Sequence, residues 1–82
     1  MIKEKEQKLP KWFDGELYEV GDEVRNPYSG EKIKLTAVEL SMYDFVMGAT
    51  FVSELGGTVK DLRKGLDWFR KNNPKAYMVL LD

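Results

Sequence analysis

The chain has 82 residues, 43% of them hydrophobic, 33% charged and none of them cysteine or histidine, with a net charge of −1. That length holds one domain with a limited core. Lacking Cys and His, the chain has no disulfide, no Cys/His zinc site, no thiol nucleophile and no imidazole acid–base, and its near-zero net charge argues against nucleic acid as a partner.

Residues 1–8 alternate Lys and Glu around Ile2 and read as a frayed or disordered arm. They lack the apolar stretch of a signal peptide, and no run of the chain approaches the roughly 20 apolar residues that span a bilayer. The expectation is a cytoplasmic protein with no membrane attachment. Residues 9–82 read as a single α+β domain. Pro10 favours an extended start, Trp12 and Phe13 dock the arm on the core, and Asp14-Gly15 turns.

Residues 16–35 read as β. Leu17, Tyr18 and Val20 are strand formers; residues 23–25 and 31–35 alternate polar and apolar. Between these two runs, Asn26-Pro27-Tyr28-Ser29-Gly30 carries turn chemistry, with Gly30 suited to a left-handed position. A hairpin with Val24, Ile33 and Leu35 on one face must pack on something, because a lone hairpin is marginal in water.

The central stretch is the most informative. Thr36 and Glu39 form a capping box, and Gly56-Gly57 supplies a positive-φ stop. A surface helix needs an apolar arc of about 100°; this one is apolar over roughly 200°. Leu40, Met47, Phe51 and Leu55 lie to one side, and Val38, Met42, Phe45, Ala49 and Val52 to the other. So short a chain has little to cover both, so a second copy or a partner is expected over Phe45, Gly48, Phe51 and Val52, with Gly48 permitting close helix approach. Asp44 falls among the apolar residues and is expected to be buried, paired with the Trp12 indole, a Tyr hydroxyl or an Arg.

Thr58 and Asp61 repeat the capping-box pattern, and Val59, Leu62, Leu66 and Phe69 follow at helical spacing to about residue 71. Gly65 lies beside this stripe. Trp68 falls off it, either covered by the C-terminal segment or exposed as an interface anchor. From residue 58 onward the charge sums to +3, leaving −4 on residues 1–57; that asymmetry favours self-association or internal ion pairing as much as an external anion. Arg63 and Lys64, with Tyr28 and Trp68, are candidate contacts for a partner protein. Asn73 can cap a final helix with Pro74 at its first position, although Tyr77, Val79 and Leu81 alternate as a strand would.

No nucleophile–base pair, phosphate loop or EF-hand pattern is present. The expected function is therefore non-enzymatic, with no cofactor and no metal: a homo-oligomer, or else a binding module for another protein. The blocks Trp12-Phe13-x-Gly15-Glu16, Asn26-Pro27-Tyr28-Ser29-Gly30-Glu31, Glu39-Leu40-Ser41-Met42-Tyr43-Asp44-Phe45 and Gly65-Leu66-Asp67-Trp68-Phe69-Arg70-x-Asn72-x-Pro74 resemble a family of small uncharacterised proteins of marine bacteriophages, chiefly cyanophages. The resemblance covers about residues 9–82. It implies a phage accessory protein that works by binding inside a cyanobacterial host, and it assigns no site residues.

Overall fold

The computed structural model describes residues 7–57 and 59–81. A two-stranded antiparallel hairpin, β1 (Asp22–Arg25) and β2 (Lys32–Leu35), precedes three helices, α1 (Ala37–Glu54), α2 (Leu62–Asn72) and α3 (Pro74–Leu80). The fold is α+β, with the hairpin and a long central helix as expected. The last segment is a helix rather than a strand. Asn73 decides it: its Oδ1 accepts from the Ala76 N–H at 3.1 Å, and Pro74 occupies the first turn.

Turn chemistry sets the hairpin register. Asn26 Oδ1 accepts the Tyr28 N–H at 2.8 Å, the Asn26 N–H donates to the Glu31 carbonyl at 2.8 Å, and Gly30 sits at φ 82°. Val24 therefore faces Ile33, and Asp22 faces Leu35. The apolar face of the hairpin contacts both α1 and α3, so its cover is shared rather than given by α1 alone. A hydrogen bond of 2.7 Å from the Asn26 side-chain amide to the Val79 carbonyl pins the loop to α3.

The β reading of residues 16–21 is not met. This segment lacks strand structure, and Leu17 and Val20 point outward. Its backbone finds a side chain instead of a neighbouring strand: the Tyr18 N–H donates to Ser41 Oγ on α1 at 2.9 Å.

Both ends of α1 follow the sequence. Thr36 Oγ1 accepts the Glu39 N–H at 3.1 Å, and Glu39 Oε1 accepts the Thr36 N–H at 2.9 Å. At the other end the Gly56 N–H reaches the Ser53 carbonyl and the Gly57 N–H the Val52 carbonyl, a Schellman closure with Gly56 at φ 95°. The second helix starts later than its pattern suggests. Thr58 lies outside the described residues. Asp61 stands at the N-cap without a side-chain cap bond, paired with Lys64 at 3.6 Å, and Val59 and Lys60 are used to cross from α1 to α2.

The core is Leu35, Met42, Val46, Phe69 and Ala76. Gly65 lets α2 lie close against α1, since a Cβ there would sit 2.9 Å from a Val46 methyl and 3.4 Å from Met42 Sδ. Residues 1–6 of the expected frayed arm lie outside the described residues. Gln7 and Lys8 are docked: the Gln7 amide donates to Glu39 Oε2 at 2.7 Å, and the Lys8 carbonyl accepts the Trp68 indole N–H at 3.1 Å. Trp12 and Phe13 then flank Phe45, with ring centroids 5.8 and 5.6 Å away. Glu39 is buried and takes a third donor, the Asn73 amide, at 3.1 Å.

Replacing Glu39 with Ala strands the Thr36 N–H and two side-chain amides; we expect a loss of about 2–4 kcal/mol, read by urea denaturation. A loss under 0.5 kcal/mol would show that water satisfies these donors equally well. Gly65→Val forces a branched side chain against the buried Val46 methyl and should cost about 2 kcal/mol or more despite the better helix propensity. An unchanged or higher melting temperature would mean that α2 moves away freely.

Candidate functional site

The broad apolar arc of α1 divides into two parts. Met42, Val46 and Ala49 are buried in the domain, while Leu40 and Phe45 are half-covered. The outer part stays open towards the C-terminal end: Phe51 is 63% exposed, Leu55 72%, Val52 44% and Met47 41%. Beside it lies an apolar groove of about 530 Å³, lined by Tyr28, Met47, Phe51, Leu66, Leu80 and Leu81. Glu54 sits on its rim. The groove exists because α3 folds back as a helix and the hairpin loop is pinned to it, which carries Tyr28 to the end of α1.

The expected interface residues separate. Phe51 and Val52 are on the surface, and Gly48 faces open space. Phe45 is not available: Trp12, Phe13 and the close-packed Gly65 cover its ring, because the arm docks on that side of the helix. Of the expected partner contacts, Tyr28 is 97% exposed and joins Phe51 in the groove. Arg63 and Lys64 are exposed on α2, with Lys64 paired to Asp61. Trp68 is half-buried, edge-on to Phe69 at 6.2 Å, with its indole N–H donating to the Lys8 carbonyl of the N-terminal segment at 3.1 Å.

Asp44 is exposed, which corrects the expectation of a buried carboxylate. Its neighbours on the helical wheel, Met47 and Phe51, are themselves outside, so the position shares their exposure. Its charge bears on a nearby tyrosine. The Tyr18 hydroxyl is pushed up from its ordinary value by partial burial first, then by the charges of Asp44 and Glu16 and by its hydrogen bond to Asp44. Burial alone raises Tyr43. The buried polar residues are instead Glu39 and Ser41. The capping box located Glu39 but could not reveal its burial, which depends on Gln7 and Asn73 meeting it from distant sequence. For Ser41 the sequence held no signal beyond its place beside the apolar stripe.

A second depression, of about 510 Å³, lies on the other side of Leu62 and Leu66, which line both hollows. Val59 and Tyr77 share its apolar lining, and Lys60, Arg63 and Arg70 stand around it. Arg70 is paired with Asp67 at 3.2 Å. Among the described residues, no group of three carboxylates is placed to hold a metal ion, and no helix is long and apolar enough to cross a membrane. What the surface offers chemically is apolar area next to unlike charges. Comparison with known proteins finds no match among family models, curated proteins or solved structures.

Because Tyr18 and Tyr43 have raised hydroxyl pKa values in the fold, both favour the protonated native state. Their contribution is complete below the unfolded value of about 10 and is lost as pH rises through the folded values. Asp44→Asn should lower the Tyr18 titration midpoint while leaving that of Tyr43 unmoved, as followed by tyrosinate absorbance. An unshifted Tyr18 would mean that the carboxylate does not face the hydroxyl.

Proposed function

We propose that this protein is a non-enzymatic accessory protein that self-associates through the outer face of α1, and that its simplest assembly is a two-fold homodimer. The observation that carries the reading is the contiguous exposed surface of Met47, Phe51, Val52 and Leu55, continuous with the groove beneath Tyr28. Scattered exposed apolar residues need no explanation, but a contiguous patch next to a groove marks an interaction surface. Gly48 contributes no side chain at the middle of the face and meets open space, so a facing helix can approach closely there. A two-fold axis lets one patch serve both partners. The resemblance to small bacteriophage proteins supports an accessory role in a host cytoplasm.

A second reading is a binding module for a host protein. Tyr28 favours it: the ring stands almost fully exposed at the tip of a pinned loop, a residue type enriched in interface anchors. In that case the free protein is a monomer.

Phe51→Glu places a charge at the centre of the face without touching the core. We expect a folded monomer by light scattering after size exclusion, where the parent runs as a dimer. A variant that keeps the parent's mass counts against self-association through α1. Phe45→Glu is the contrasting substitution: with its ring under Trp12 and Phe13, it should unfold the chain rather than dissociate it.

A further inference from the structure

We propose that in the dimer the acidic segment 16–20 of one copy seats in the cationic groove between α2 and α3 of the other, the two α1 helices running antiparallel. This rests on the self-association reading above and adds a second contact and an orientation to it.

The segment is built for display. Tyr18 anchors it, with its N–H donating to Ser41 Oγ at 2.9 Å and its ring beside the same stretch of α1 as Asp44. Either side of that anchor, Leu17 is 69% and Val20 75% exposed, and Glu16 and Glu19 are exposed with them. Two aliphatic side chains and two carboxylates are thus held outward on backbone that is already fixed, so little ordering is lost on docking.

The groove has the complementary composition. Its lining of Val59, Leu62, Leu66 and Tyr77 is apolar and half-buried, and Lys60 and Arg63 stand at its edge. Neither cation has an ion-pair partner among the described residues, whereas Arg70 is held by Asp67. Glu16 and Glu19 are the charges of the segment, while Lys60, Arg63 and Arg70 outnumber Asp67 in the groove, so the two surfaces attract between copies.

Position supplies the orientation. Segment 16–20 lies beside the N-terminal half of α1, at Ser41 and Asp44. The cationic groove adjoins the C-terminal half, through Leu62 and Leu66, which also line the groove next to Met47 and Phe51. An antiparallel pairing of α1 centred on Phe51 sets Met47 of one helix against Leu55 of the other, so Ser41 and Asp44 run past the C-terminal end of the opposite helix toward the start of its α2. It therefore carries each segment toward the groove of the opposite copy, and the two-fold axis makes the contact twice.

Charge reversal tests this with exposed residues only. One variant carries Glu16→Lys and Glu19→Lys; the other carries Lys60→Glu and Arg63→Glu. Each alone should raise the dimer dissociation constant about tenfold or more, measured by sedimentation equilibrium, because like charges then face each other. Mixed in equal amounts, the two should recover the parent's affinity, since both contacts of the mixed dimer are again between unlike charges. If either variant alone dimerises as the parent does, or the mixture stays dissociated, the contact is overturned. Should Phe51→Glu disperse the parent while both reversals leave it intact, the α1 face stands and this contact falls. A parent that is monomeric at every concentration removes both. If a reversal variant does not fold, the parent's own salt response decides: a dissociation constant that rises between about 0.05 and 0.5 M salt supports the contact, and one indifferent to salt sinks it.

Discussion

The fold depends on one buried carboxylate. Glu39 is 4% exposed, and its two oxygens accept from the Thr36 N–H, the Gln7 amide and the Asn73 amide. A carboxylate in that position would cost several kcal/mol if left bare. Here three donors meet it, and it also lies in the first turn of α1, where the helix dipole favours negative charge. The donors come from three places: the arm before the hairpin, the start of α1 and the start of α3. Asn73 uses its other atom to cap α3, and Gln7 Oε1 accepts from Thr36 Oγ1. Among the described residues no buried side-chain nitrogen or oxygen lacks a partner, so the network is closed.

From this node follows which part of α1 is covered. Docking Gln7 leads the arm back past Trp68 and sets Trp12 and Phe13 over Phe45. Capping α3 at Asn73 brings Ala76 into the core and carries Leu80 and Leu81 up beside the far end of α1. The N-terminal part of the helix is thereby wrapped. Among the described residues, no element covers Phe51 and Leu55 at the C-terminal end of α1. Exposure at the C-terminal end of α1 is thus a consequence of where the chain spends its other segments.

Much of this was legible in the sequence where the signal is local. The capping box at Thr36, the glycine stop after Leu55, the Asn26–Gly30 turn and the Asn73-Pro74 start are each set by residues within a few positions of one another. The excess apolar arc was legible too, but not which half of it stays open. Phe45 and Phe51 differ by six positions on one helix, and the arm, folded back from more than 30 residues away, together with α2 at Gly65, tells them apart. Asp44 failed for the same reason: a helical wheel gives neighbours but not depth. The strand reading of residues 16–21 failed because β-propensity reports fitness for a pleated surface, and with no neighbouring strand to pair, Tyr18 turned to Ser41.

Stability and assembly are coupled in such a chain. The closed polar network and the small core fix a unique fold, yet the outer face of α1 leaves apolar area whose burial would contribute at roughly 25 cal/mol per Å². Anything that binds the folded chain and not the unfolded one adds stability by mass action. If the face is covered by a second copy, the melting temperature rises with protein concentration, and a substitution such as Phe51→Glu lowers it at high concentration but not at low. The same substitution inside a self-sufficient domain would act equally at all concentrations. The distinction follows from Phe51 touching solvent rather than the core. It makes concentration dependence, rather than the size of any single stability loss, the signature that separates an interface residue from a packing residue in this protein.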